Sequence, residues 1–335
     1  MRSEASSDVL KVWLHAAASV LLGAWMAPLV YNVGKALAEV SSAKQTNGFL
    51  EWLAGICRSA DFPDFFVASL LAAAAFLFLP LTGWLRGGRS SEKGMKGTLR
   101  LPECTLGGQR LLSNPGGLRQ AATGFLLVTI LFLLLGGGLI SVGVLDWKYS
   151  GEGLIKIVLR GGAVALGLAV FQEILFRGIA MGIFLRAMRP AAALGMSAVL
   201  FALVHFLNPP PGLNVIDPDA SGVGFELMRK IAGQFSDLRV VLGSFAPLLA
   251  LGLVLGYARW RTASLWLPIG LHAGWIFVNG LLGSVTLATH PDSIMWVISG
   301  ASLRQGLVPL AGIVLAGVLA NYLTTDPHAA KDREA

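Results

Sequence analysis

Apolar residues run along this chain in long stretches separated by short polar loops. Eight stretches stand out, at roughly 12–32, 65–85, 121–144, 161–187, 191–207, 238–257, 264–284 and 307–323. A helix that crosses hydrocarbon needs about 20 mostly apolar residues. Backbone placed in lipid has to satisfy its own N–H and C=O groups, so each stretch is predicted to be a helix. The pattern predicts an all-α polytopic membrane protein of about eight transmembrane helices. Residues 1–120 read as a two-helix region with a basic cytoplasmic loop. Residues 121–325 read as the main bundle, with a core at about 160–285. The end "TTDPHAAKDREA" reads as a polar tail, disordered over 326–335. The loop 208–237 is long, and its "FELMRKIAGQF" is amphipathic, as expected of a helix lying on the membrane surface.

Composition agrees with the pattern. Hydrophobic residues make up 55% of the chain and charged residues 13%, against about 25% charged in a soluble domain. Mean hydropathy is +0.68. The 41 glycines suit close helix packing in a membrane. A net charge of +7 could point to nucleic acid. The basic residues gather in short loops, however, which the positive-inside rule explains more simply. No nucleic-acid partner is expected; the expected partners are the bilayer and a membrane-associated peptide or protein. Arg86, Arg89, Lys93, Lys96, Arg100, Arg110 and Arg119 share one loop and mark it as cytoplasmic. Counting from that loop puts both termini in the cytoplasm and Arg186, Arg189, Arg259 and Arg261 at cytoplasmic edges, while Arg229 and Lys230 fall outside. The expected location is a bacterial inner membrane. Cys57 and Cys104 fall on opposite sides and cannot pair, so neither a disulfide framework nor a cysteine zinc site is expected. The first apolar run follows Arg2 and Lys11 without a clear cleavage site and reads as an uncleaved helix.

Ionisable groups inside a membrane are costly and mark function by default. Glu173 and Arg177 lie in the fourth run, His205 in the fifth and His272 in the seventh. From Arg186 back to Glu173 is roughly 20 Å of helix, from Arg189 to His205 roughly 24 Å, and from Arg261 to His272 roughly 16 Å. All three can meet near the middle of a core about 30 Å thick. A carboxylate can take a proton from water. An imidazole can steady an oxyanion or hold a metal ion. Two His and one Glu also match a catalytic zinc site with an open position, so zinc on His205 and His272 stays open beside the metal-free reading. Arg177, four residues after Glu173, can position that carboxylate or bind substrate.

These motifs resemble the CAAX protease and bacteriocin-processing family of intramembrane type II CAAX prenyl endopeptidases. The family pattern is Glu-Glu-x-x-x-Arg, Phe-x-x-x-His and His-x-x-x-Asn/Asp on successive helices. Here it reads Gln172-Glu173-x-x-x-Arg177, Phe201-x-x-x-His205 and His272-x-x-x-Ile276, with "ILFRG" and "SLWLPIGLHAGW" around it, over about residues 160–285. The resemblance implies an intramembrane metalloprotease-like endopeptidase whose site holds Glu173, Arg177, His205, His272 and Gln172. Two positions depart from the pattern. Gln172 replaces the Glu usually assigned to activate water, and Ile276 replaces the amide or acid; Asn279, seven residues after His272, is the candidate substitute.

Blander readings stand beside this one. Glu173 and Arg177 could brace two helices as an ion pair, and either histidine alone could be a helix–helix contact. A catalytically impaired scaffold or substrate-binding protein would keep the pocket and lack the base, as Gln172 suggests. A transporter would use the same groups to relay protons.

Overall fold

The computed structural model describes residues 2–43, 48–87, 114, 116–148, 151, 153–209, 215, 217–290, 294, 296–298 and 302–324. The elements are α1 (Arg2–Ala43), α2 (Gly48–Ser59), α3 (Phe62–Gly87), α4 (Gly117–Ser141), β1 (Leu145–Trp147), α5 (Leu154–Ala187), α6 (Pro190–Phe206), α7 (Val223–Gly233), α8 (Leu238–Thr262), α9 (Trp266–Val285), β2 (Thr286–Ala288) and α10 (Leu307–Leu323). The chain is an all-α polytopic membrane protein, and each of the eight apolar runs falls on a helix. Among the described residues, six helices are long and apolar enough to cross a membrane: those containing Ser7–Ser41, Phe62–Leu85, Gly117–Ser141, Leu154–Ala187, Leu238–Thr262 and Trp266–Val285. The other two, α6 and α10, have 17 residues each and reach only about 26 Å at about 1.5 Å per residue. Extended backbone at Met188 ends α5 just before α6 begins, and extended backbone at Thr324 ends α10. The basic residues Arg89 to Arg110, Cys104 and the 326–335 tail lie outside the described residues.

The chain forms two compact units, Met1–Lys96 with Val204–Ser236, and Gly97–Leu203 with Asp237–Ala335. In the first, α1 and α3 pack along their lengths. Gly23 lies against Leu70 and Gly34 against the Phe65 ring; a side chain at either glycine would force the helices apart. The buried Ser69 hydroxyl sits 2.7 Å from the Gly23 and Phe66 carbonyl oxygens. Lys35 donates to the Cys57 and Ala60 carbonyls at 3.2 and 2.7 Å. Those lie at the C-terminal end of α2, where a cation complements the helix dipole. The amphipathic segment of the 208–237 loop does form a helix, α7. Its apolar residues Val223, Leu227 and Ile231 are buried, and Gly224 seats against the Ala24 backbone of α1. Glu226 and Lys230 pair at 3.0 Å on its outer face, which holds the Glu226 carboxyl below the usual range. Protein therefore covers at least part of the face that the sequence alone assigns to lipid.

In the second unit α9 is the central helix, with every residue from Leu267 to Trp275 buried. It runs parallel to α4. Gly270 meets Ala121, Gly274 meets the Phe125 carbonyl and Gly124 meets the Leu271 backbone. Glycines on both helices make this close approach possible. Beside it Phe132 and Trp275 stack edge to face, 5.0 Å apart. Helix α8 packs on α6 through Gly252 against Ala198 and Gly256 against Leu194. It packs on α10 through Gly317 against Val254, and through a Tyr257 hydroxyl that donates to Asn321 at 2.7 Å. Ala263, in the left-handed region at φ 49°, ends α8 and turns the chain into α9. At the other end of α9, β2 pairs antiparallel with β1, with Asp146 opposite Leu287. This short pair ties the ends of α4 and α9 together and was not legible in the apolar pattern.

Candidate active site

Helix α5 is not regular where the charged residues lie. It is α-helical to Glu173, opens into a π-helix over Ile174–Ala180, and resumes at Met181. Wide turns of this kind recur at functional sites because the extra residue re-aims the side chains around it. Here Glu173 closes the regular part and Arg177 lies inside the wide turn.

Both are fully enclosed: Glu173 is 0% exposed, Arg177 1% and His272 2%. One carboxylate oxygen, Glu173 Oε1, does two jobs. Arg177 Nη1 donates to it at 2.9 Å, and His272 Nδ1 lies 2.7 Å away. An ionised carboxylate only accepts, so toward it Nδ1 carries the proton, and a neutral imidazole then keeps its lone pair at Nε2. Arg177 Nη2 donates to the Gly252 carbonyl on α8 at 3.2 Å. Its guanidinium lies 4.3 Å from the Phe201 ring centroid, a cation–π contact of the kind strengthened by desolvation. The Phe201 ring in turn meets His272 and Phe176 edge on, at 5.6 and 5.2 Å. Three helices, α5, α6 and α9, with a carbonyl from α8, thus meet around the Glu173, Arg177 and His272 cluster. Glu173 Oε2 is buried and has no hydrogen-bond partner among the described residues.

Of the sequence-predicted residues, Glu173, Arg177 and His272 come together. Gln172 is half-buried beside Glu173. His205 is half-buried one turn after Phe201 on α6, in the part of that helix that groups with the first unit. Asn279 does not sit free as a substitute amide: its Nδ2 donates to the Trp275 carbonyl of its own helix at 2.8 Å. Ile276 packs against the apolar cluster around Phe132 and Trp275. The Gly252 carbonyl was missed by sequence reasoning. A backbone acceptor leaves no side-chain signal; the only hint is a glycine small enough to let α6 come close.

Among the described residues, no three His, Cys, Asp or Glu side chains are grouped as a metal ion needs. The carboxylate oxygen nearest His272 also faces the Arg177 guanidinium, and a second cation there would meet repulsion.

Residues 154–278 match the family model of the type II CAAX prenyl endopeptidases, Rce1-like. That stretch holds α5 to most of α9 and every residue of the cluster. No curated protein and no solved structure matches the chain.

Proposed function

We propose that this chain, whose residues 154–278 match the model of the Rce1-like type II CAAX prenyl endopeptidases, hydrolyses a peptide bond in a membrane-associated substrate, with Glu173 as the base. The carrying observation is the asymmetry of the Glu173 carboxylate. Oε1 is fixed by Arg177 and His272, and Oε2 is enclosed with no partner. In this reading Oε2 accepts a proton from water as the hydroxide attacks the scissile carbonyl, and later returns it to the leaving amine. An imidazole, His272 or His205, steadies the oxyanion that develops. Arg177 positions Glu173, and Gln172 orients the water or the peptide through its amide. Low polarity strengthens each of these contacts relative to water.

A second reading rests on a specific observation. Gln172 cannot act as a base, and Glu173 is already engaged by two donors. A chain that retains the family pocket as a scaffold or substrate-binding protein would look the same.

Purified protein in nanodiscs, presented with quenched-fluorescence peptides carrying lipidated and unlipidated ends, separates the two. The expected result is cleavage by wild type that falls about 10²–10⁴-fold in Glu173→Ala and drops in His272→Ala. No cleavage by wild type, with cleavage appearing in Gln172→Glu, would overturn the peptidase reading in favour of the scaffold.

A further inference from the structure

The end of the second unit where α8 stops carries cationic nitrogens that the cluster around Glu173 does not use. The registers are set by close contacts. Arg177 bonds to Gly252, and four residues on, Met181 lies against Gly256. Continued one more turn, that parallel step puts Leu185 and Arg186 level with Trp260 and Arg261. Helix α6 runs the other way, Ala198 against Gly252 and Leu194 against Gly256, which brings its first residue, Pro190, and the adjacent Arg189 to the same end. Arg186, Arg189, Arg259 and Arg261 therefore gather at one end of one unit, from two turns of the chain.

These arginines differ in what they do. Arg261 donates to the Asn321 and Thr324 carbonyls at 3.1 Å each, closing the C-terminal end of α10. Arg186 and Arg259 are half-buried, and Arg186 Nη2 and Arg259 Nε are enclosed with no acceptor among the described residues. The described acidic residues of this unit are Asp146, Glu173 and Asp237. Asp146 lies in β1 beyond the C-terminal end of α4, Asp237 opens α8 at the end away from Arg259, and Glu173 is already paired with Arg177. A buried guanidinium nitrogen without an acceptor is costly, and the ligand best shaped for a guanidinium fork is a phosphate or carboxylate. Trp260, 38% exposed, is a residue type that favours the headgroup level. At the end of a membrane helix, phosphate is carried by lipid.

We propose that Arg186 and Arg259, flanked by Arg189, bind the phosphate of an anionic lipid headgroup at this end of the second unit. The site lies outside the Glu173 cluster and does not rest on the peptidase reading.

The test uses the full chain in nanodiscs of phosphatidylcholine with rising fractions of phosphatidylglycerol, reading the unfolding midpoint by tryptophan fluorescence at fixed ionic strength. A saturable rise is expected. In Arg186→Gln/Arg259→Gln the half-saturating fraction should move up by roughly fivefold per arginine, with Arg186→Lys/Arg259→Lys between it and wild type because a point charge replaces a fork. A control at the opposite end, Lys148→Gln/Lys156→Gln, should respond as wild type does. An unchanged response in the glutamine variant, or an equal loss in the control, would mean diffuse surface attraction and sink the proposal. Inorganic phosphate producing the same rise in pure phosphatidylcholine would assign the site to free phosphate instead. Should the glutamine variant not fold, the lysine variant decides: a half-saturation equal to that of wild type overturns the site.

Discussion

Glu173 and Arg177 are the most deeply enclosed charges described in this chain, and each holds the other. Removing one partner of a buried pair strands the other, at a cost of about 3–5 kcal/mol. Arg177→Met should therefore lower stability by about that amount, while Arg177→Met/Glu173→Gln should recover much of it. Equilibrium unfolding of the two variants and of Glu173→Gln alone closes the cycle; additive losses would mean that the pair is uncoupled. Sequence spacing alone put Glu173 within reach of Arg177, because four residues on a helix share a face. The same spacing could not say that one oxygen would serve both Arg177 and His272. That follows from the π-helical turn and from how α9 lies against α5.

At the scale of elements, glycines decide how close the helices come. Gly124, Gly252, Gly270 and Gly274 each face backbone of a neighbouring helix with no room for a side chain. Gly252 is the most informative, because its carbonyl accepts from Arg177 while its Cα faces Ala198. Gly252→Val should separate α8 from α6, costing about 1–3 kcal/mol as overpacking does, and draw the carbonyl away from Arg177. We expect lower thermal stability together with reduced cleavage. Gly137→Val, at a glycine with open space around it, should leave both near wild type. If the two variants behave alike, close approach is not what Gly252 provides. The apolar runs foretold where helices occur. They foretold the short length of α6 and α10 as well, since the runs 191–207 and 307–323 match those helices closely. They did not foretell that α7 would bury its apolar residues against protein, which a partner helix from far away in sequence decides.

At the scale of the whole molecule, orientation is a question of where positive charge collects. The arginine end of the second unit also carries the C-terminal end of α10, so by the positive-inside rule we expect the C-terminus to face the cytoplasm. The opposite end is not free of basic residues: Lys148, Lys156, Arg160, Arg239 and Arg304 lie there, at the starts of α5, α8 and α10 and beside β1. The basic residues from Arg86 to Arg119 tip the expected orientation. A fluorescent reporter fused at the C-terminus is expected to light up, and a periplasmic phosphatase fused there to stay silent. The reverse pattern would invert the topology and move the arginine end to the outer leaflet.

The apolar pattern alone set the solvent of this chain, and so its class. Long apolar runs exclude a water-soluble fold, and a backbone in lipid has little choice but helix. It also determined which few ionisable groups lie inside the helices, because charges stand out against 55% hydrophobic residues. What those groups do to one another was settled by packing. Contacts between residues 99 positions apart, such as Glu173 with His272, depend on helix register and on close approach at glycines. Neither is written in the local pattern of either helix, because a helix's own periodicity says which face is apolar but not which neighbour that face will meet.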